Sequence, residues 1–215
     1  PAELVELVND NGGEIVNADS MQVYRGMDIG TAKPSMAERD GVEHHLLDIA
    51  DPQHPFSLEH WLEAAHVAVA DIRERGLWPI LVGDTSLYVQ AFFYGLLEGP
   101  GPNPELRREL EALDASELRT RLEAVDREAA TRIHANDRRR TIRALEVADS
   151  GVPLSALQGQ WDGPQRTDAL FIGLDWPAEA INPRINARVR SMVDNGLLEE
   201  VRTLEPTLGL QAREA

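Results

Sequence analysis

Leu4, Val5, Leu7 and Val8 open the chain at helical spacing, and an Asn-Gly-Gly break separates them from the short apolar run Gly-Glu-Ile-Val-Asn-Ala at 13–18. That run predicts a buried strand with Asp19 at its C-terminal end. A loop-rich stretch with Gly26, Gly30 and Pro34 follows, and a second strand is expected over His45 to Ile49. Ser57 to Arg75 has helical periodicity, with Ser57 placed as an N-cap and Gly76 just past the last periodic position. Trp78 to Val82 predicts a third strand, then come the polar turn Gly83-Asp84-Thr85 and a helix through Tyr94. Strand, helix and strand with polar turns after the strands predict an α/β fold built on a parallel sheet.

Between Gly95 and Pro104 the chain becomes rich in Gly and Pro, which marks a domain junction. Pro104 to Ser150 alternates charged and aliphatic residues at helical spacing and predicts about three short helices. Ala169 to Leu174 is apolar enough to be a strand returning to the sheet, and Asn182 to Leu204 predicts one long amphipathic helix. The expected organisation is an α/β core from residues 1–97 and 166–215, interrupted by a helical insertion over 98–165. There is no internal repeat and no low-complexity tract.

The 215 residues, 42% of them hydrophobic, suffice for one sizeable core or a core with a smaller appended domain. The sequence contains no cysteine, which excludes disulfides and thiolate metal sites. No apolar run reaches the roughly 20 residues needed to cross a bilayer, and no signal sequence opens the chain, so a soluble cytoplasmic protein is expected. The chain starts at Pro1, inside a helical pattern, as a fragment would. A formal charge of −16 disfavours broad contact with nucleic acid, because neutralising phosphates requires Lys and Arg. Any RNA site must be a local basic patch.

Ligands of open α/β sheets bind beyond the carboxyl ends of the strands, and this puts Asp19 and the Gly83–Thr85 turn on one rim. Asp19 heads a polar group comprising Ser20, Gln22, Tyr24, Arg25, Asp28, Thr31 and Lys33, and its simplest structural role is an Asx turn or a helix cap at a strand end. Thr85 offers a hydroxyl at a helix start, suited to an anionic oxygen or to plain N-capping. Asp137-Arg-Arg-Arg-Thr-Ile-Arg143 places four arginines in seven positions of an acidic chain, favouring phosphate or base contact over a solvated face paired with Glu146. Arg184 and Arg188 stand one helical turn apart and could grip a diphosphate, or pair with Glu199 or Glu200. His44, His45 and Asp48 lack a third ligand at suitable spacing, so satisfied strand histidines are expected there rather than a metal.

The segment Asp19-Ser-Met-Gln-Val-Tyr-Arg-Gly-Met-Asp-Ile-Gly-Thr-Ala-Lys-Pro34 resembles the signature of the bacterial tRNA dimethylallyltransferases. Similarity continues through His44-His-Leu-Leu-Asp-Ile49 with Asp51-Pro52, Ile80-Leu-Val-Gly83, Ile133-His-Ala-Asn-Asp137 and Arg143-Ala-Leu-Glu-Val147. The resemblance implies a P-loop-NTPase-like parallel sheet core with a helical tRNA-binding insertion. It also implies transfer of a dimethylallyl group from dimethylallyl diphosphate to N6 of an adenosine next to the anticodon in tRNA, assisted by Mg²⁺, by a monomeric enzyme. By the same resemblance Asp19 is the general base, and Ser20, Met21 and Gln22 hold the extruded base. Thr85 and Arg188 meet the diphosphate or reacting centre, and Arg107, Arg139, Arg140, Thr141, Ile142 and Arg143 touch tRNA.

The sequence departs from the family pattern in three places. The family's Gly-x-Thr-x-x-Gly-Lys-Thr phosphate loop belongs before Leu4, and the family's last helices belong after Ala215. Its Gly-Gly-Thr-Gly turn is here Gly83-Asp84-Thr85-Ser86. On these grounds the chain as written is expected to be inactive. Two other readings share the same residues: an isopentenyltransferase acting on free adenine nucleotides, and a catalytically inactive RNA-binding relative.

Overall fold

The computed structural model describes residues 8, 12–96, 99–101, 103–157, 168–209 and 212. The helix expected at the start of the chain lies, apart from Val8, outside the described residues. The chain divides into two compact units, Pro1–Phe93 with Thr167–Ala215, and Tyr94–Arg166.

The first unit is built on a parallel sheet in which β1 (Gly13–Asn17) runs between β2 (His44–His45) and β3 (Trp78–Val82). Ile15 pairs with His44 on one side and Ile80 on the other. A strand with apolar layers on both faces needs an uninterrupted apolar run, and β1 provides one. Ile15 packs with Val8, Val42, Ile80 and Val82, while Val16 and the following Ala18 face Trp61, Ala65 and Tyr88.

The second face is covered by α2 (Leu58–Glu74), which follows α1 (Met36–Arg39). Trp61, Ala65, Ala68, Val69 and Ile72 are buried at helical spacing. At the start of α2 the Ser57 hydroxyl accepts the His60 N–H at 3.2 Å, and His60 Nδ1 accepts the Ser57 N–H at 3.3 Å, so a histidine closes the capping box. Fully buried Trp61 donates its indole N–H to the Asn17 carbonyl at 3.0 Å, tying the helix to the end of β1. Truncating it to Ala would cost roughly 3–5 kcal/mol.

Three sequence expectations are corrected here. The second strand is only two residues long, because Leu46 and Asp48 adopt φ of +67° and +58°, outside the extended region. Ala169 to Leu174 forms no strand. Leu170, Ile172 and Leu174 are 86%, 71% and 87% exposed, and without a ladder partner an extended segment satisfies its backbone with water. The long C-terminal helix is two helices, labelled below α9 (Ala178–Asp194) and α10 (Leu197–Leu204), because Gly196 turns the chain at φ +100°. The stripe Ile181, Ile185, Val189 and Val193 on α9 is exposed among the described residues.

After α3 (Ser86–Tyr94), the second unit contains α4 (Pro104–Glu111), α5 (Ala115–Val125), α6 (Arg127–Arg132), α7 (Arg138–Ala148) and α8 (Leu154–Leu157). Four helices therefore occupy the stretch read as about three. The extra boundary is Asp126, which ends α5 and caps α6 by accepting the Ala129 N–H at 2.9 Å. Asn103, Asp114 and Asp137 cap α4, α5 and α7 in the same way. Leu110, Leu118, Leu122, Ala130, Ile142 and Leu145 form the core of this unit. No helix among the described residues is long and apolar enough to cross a membrane.

Candidate active site at the ends of β1 and β3

The carboxyl ends of β1 and β3 approach so closely that the Ala18 N–H donates to the Val82 carbonyl at 2.7 Å. A Cβ added to Gly83 would lie 2.3 Å from both the carbonyl carbon and oxygen of Ala18, so only glycine permits this approach. The close approach brings together two residues singled out from the sequence. The Ser20 backbone N–H donates to the Thr85 hydroxyl at 3.0 Å, and that hydroxyl donates to Ser20 Oγ at 3.3 Å. The Thr85 side chain thus reaches across to the Asp19 loop. Its own helix, α3, begins with the Tyr88 and Val89 N–H groups bonded to the Thr85 carbonyl.

Asp19 forms the Asx turn expected at a strand end: Oδ1 accepts the N–H groups of Met21 and Gln22 at 2.7 and 3.2 Å. Oδ2 has no hydrogen-bond partner among the described residues. One oxygen holds the loop, and the other is available to accept a proton. Behind it lies the buried Tyr88, whose hydroxyl is pushed up to about 12 by burial first and then by its acidic neighbours Tyr24 and Asp19. Tyr88 therefore stays protonated, and its ring stacks on Trp61 at 4.4 Å between centroids.

The rest of the signature segment is folded back on itself. Gln22 donates through Nε2 to the carbonyls of Thr31 at 3.0 Å and Ala32 at 3.4 Å, which orients the amide and leaves Oε1 as an acceptor. The Lys33 side chain is 3% exposed and donates to the Tyr24 carbonyl at 2.7 Å, Asp28 Oδ1 at 2.7 Å and Asp48 Oδ1 at 2.6 Å. These bonds hold Asp48 in its left-handed conformation. Sequence reading placed Lys33 in a polar group without a role; its three partners come from separate turns, and no spacing rule reveals them. Gly83 was likewise part of a recognised turn, but its contact with Ala18 is visible only in the fold.

Other expected site residues are dispersed. Arg188 is exposed on α9 and makes no hydrogen bond to Asp19, Ser20 or Thr85 among the described residues. Its neighbour Arg184 stacks on Trp176, 4.6 Å from the ring centroid, and among the described residues neither arginine pairs with Glu199 or Glu200. Asp84 is exposed in its turn. In the helical unit, Arg107 forms a two-pronged ion pair with the fully buried Glu146 at 3.0 and 2.7 Å. Arg143 approaches the same carboxylate at 3.9 Å and donates to the Pro100 carbonyl at 2.9 Å. Thr141 and Ile142 are 4% and 6% exposed, so their side chains serve the helical core rather than a surface. Arg139 and Arg140 carry the exposed part of the basic run.

The histidines behave as satisfied strand residues. His44 Nδ1 lies 2.9 Å from the Val42 carbonyl and His45 Nε2 lies 2.7 Å from Glu14, while Asp48 serves Lys33. An open concavity lined by His45, His60, Glu63 and Asp71 contains none of the rim residues and belongs to the outer side of α2. No group of three or more His, Cys, Asp or Glu side chains is arranged to hold a metal among the described residues. Mg²⁺ keeps several of its waters and is usually held by one or two carboxylates together with substrate phosphates, and the oxygens this rim offers are those of Asp19, Ser20 and Thr85.

Comparison with known proteins completes the picture. The IPP transferase family profile matches residues 22–215. The chain is 48% identical to a tRNA dimethylallyltransferase of Anaeromyxobacter dehalogenans, covering 95% of this chain and 70% of the relative. It is 46% identical to tRNA dimethylallyltransferase 1 of Citrifermentans bemidjiense, covering 93% and 66% respectively. The chain thus spans about two thirds of the length of these relatives. Among solved structures, the tRNA isopentenylpyrophosphate transferase of Bacillus halodurans matches with a TM-score of 0.66 at 38% identity, over all of this chain and 69% of that one. A eukaryotic dimethylallyltransferase acting on tRNA matches with a TM-score of 0.79 at 30% identity, over 94% of this chain and 52% of that one. The signature loop, the α/β sheet that presents it and these matches together place the chain in the IPP transferase family, among the tRNA dimethylallyltransferases.

Proposed function

We propose that this chain carries the acceptor side of a prenyl-transfer site that moves a dimethylallyl group from dimethylallyl diphosphate to N6 of an adenosine next to the anticodon in tRNA. The observation that carries the reading is the division of labour in Asp19, with Oδ1 tied into its Asx turn and Oδ2 without a hydrogen-bond partner among the described residues.

An exocyclic adenine amine is a weak nucleophile because its lone pair is delocalised into the ring. As N6 forms its bond to the allylic carbon, Asp19 Oδ2 takes a proton from N6, and the allylic C–O bond breaks with its electron pair leaving on diphosphate. The base must leave the stack to reach a carboxylate at a strand end, which is easier in an anticodon loop than in a duplex. Met21 and Gln22 follow Asp19 in the same turn, and Gln22 Oε1 can accept a hydrogen bond from the N6–H that remains.

On the donor side, the Thr85 hydroxyl can turn its proton from the 3.3 Å contact with Ser20 towards a diphosphate oxygen, and Arg188 offers an exposed guanidinium. Mg²⁺ bound to the diphosphate would keep several waters, take one or two rim oxygens such as those of Asp19 or Thr85, and neutralise charge on the leaving group. For tRNA, Arg139 and Arg140 are the phosphate contacts, while Arg107 and Arg143 build the surface through Glu146. We place the enzyme in the cytoplasm, acting as a monomer.

The test uses protein expressed from the complete gene, with labelled dimethylallyl diphosphate and tRNA. The unmodified protein labels tRNA, and Asp19→Ala abolishes labelling with tRNA affinity nearly intact. Full activity in Asp19→Ala would overturn the general-base assignment, and no labelling by the unmodified protein would favour an inactive RNA-binding relative.

A further inference from the structure

The signature loop offers three consecutive backbone N–H groups to a single carboxylate. Glu200, in the first turn of α10, accepts from Asp28 and Ile29 through Oε2 at 2.9 and 2.7 Å, and from Gly30 through Oε1 at 2.9 Å. Successive N–H groups converging on one point form a concave anion site, and an ionised acceptor strengthens each bond. The loop is shaped to this helix turn. A Cβ at Gly30 would lie 3.2 Å from Leu197 Cδ1 and 3.5 Å from Glu200 Oε1.

The residues just after this site are the ones that orient Gln22. Thr31 and Ala32 present their carbonyls to Gln22 Nε2, and Ala32 does so from a left-handed conformation, φ +51°, that an alanine adopts only under constraint. The N–H of Gln22 in turn bonds Asp19 Oδ1. A continuous series of contacts therefore leads from Glu200 through residues 28–32 to the Gln22 amide and the Asp19 turn. Lys33 also ties this loop, through Nζ to Asp28 Oδ1 at 2.7 Å and through its N–H to the Asp28 carbonyl at 2.9 Å, but among the described residues its side chain makes no hydrogen bond to Thr31 or Ala32.

We propose that Glu200 is a positioning residue for the acceptor base: by holding residues 28–30 it fixes the Thr31 and Ala32 carbonyls. These keep the Gln22 amide turned so that its oxygen, not its NH₂, meets the adenine amine. This rests on the acceptor-side function proposed above. An adenine presents N–H donors at N6, so a Gln22 amide that has lost its two carbonyl partners could turn either end to the base and would recognise it less well.

The test is Glu200→Gln in protein expressed from the complete gene, which retains the length of the side chain but replaces one acceptor oxygen with a donor. The expected result is a rise of about tenfold in KM for tRNA, with KM for dimethylallyl diphosphate and the thermal midpoint little changed. Glu200→Asp, which keeps the charge on a shorter stem, should recover part of the loss. Amide exchange read by NMR at Asp28, Ile29, Gly30 and the Gln22 side chain should speed up in Glu200→Gln whether or not the protein transfers prenyl groups. Unchanged exchange at Gln22 would overturn the proposal, as would a tRNA KM within twofold of the unmodified enzyme or an equal loss on both substrates. Failure of the unmodified enzyme to transfer at all would count against the functional reading, while the exchange data would still decide the role of Glu200.

Discussion

The Thr85 hydroxyl accepts the backbone N–H of Ser20 at 3.0 Å, joining two turns that lie 65 residues apart in the chain. Thr85→Val keeps the shape of the side chain and removes this acceptor, leaving a part-buried N–H unpaired. We expect a cost of about 1–2 kcal/mol in stability and a fall in prenyl transfer larger than that cost explains, measured by chemical unfolding and by tRNA labelling. Gly83→Ala should be worse on both counts, because the new methyl group meets Ala18 backbone rather than a movable side chain.

Asp19→Asn separates the two tasks of that residue. An amide oxygen can still accept from Met21 and Gln22, so the loop and tRNA affinity should persist, whereas no oxygen remains to take the N6 proton. Transfer should drop by about 10²-fold or more at saturating tRNA, in the range seen when a general base is lost. Since tRNA affinity is also expected to stay nearly intact in Asp19→Ala, loss of the Asx turn should show as a lower unfolding midpoint in Asp19→Ala than in Asp19→Asn.

The ion pair of Arg107 with Glu146 predicts that the basic residues of the helical unit fall into two classes. Arg107→Ala strands a fully buried carboxylate and should cost about 2–4 kcal/mol, seen as a lowered unfolding midpoint. Arg140 pairs with Asp137 at 3.2 Å on the surface, so Arg139→Ala with Arg140→Ala should lower the midpoint far less than Arg107→Ala while weakening tRNA binding and flattening its salt dependence. An unchanged salt slope would return these two arginines to a solvated face.

Glu14 predicts a pH dependence. The Arg75 guanidinium, bonded to it, lowers the Glu14 carboxyl to about 2 from 4.5, against the opposing effect of burial and with help from His45. A depressed carboxylate contributes its stability fully above its unfolded value and loses it as pH falls through the folded one. Stability should therefore decline between about pH 4.5 and pH 2, and Glu14→Gln should flatten that part of the curve in acid titrations followed by circular dichroism.

How much of this could be read beforehand depended on whether the signal was local. β1, β3 and the Ser57-capped α2 were legible because apolar spacing and caps act within a few residues. The rim rule then brought Asp19 and Thr85 together correctly. Ala169 to Leu174 was misread because an apolar run reports a capacity for burial and not the presence of a pairing strand. Leu46 and Asp48 end β2 through left-handed conformations, which aspartate tolerates but which nothing in a leucine signals. Asn195-Gly196 is a local turn signal within an otherwise continuous apolar stripe, and Gly196 uses it to divide the last helix. The contact of Glu200 with Gly30, 170 residues away, had no signal of its own.

Lys33 is the only lysine in the sequence, and the fold encloses it with three oxygen partners. Its ammonium group has no proton left to offer a ligand, and amine-directed reagents should leave its side chain unmodified while the fold is intact. Every cation of this chain that can meet a polyanion is therefore a guanidinium, or a histidine that has taken up a proton. The contacts that its guanidinium groups make with phosphate would then be planar, two-pronged and nearly indifferent to pH across the neutral range, unlike the mobile point charges of a lysine-rich surface.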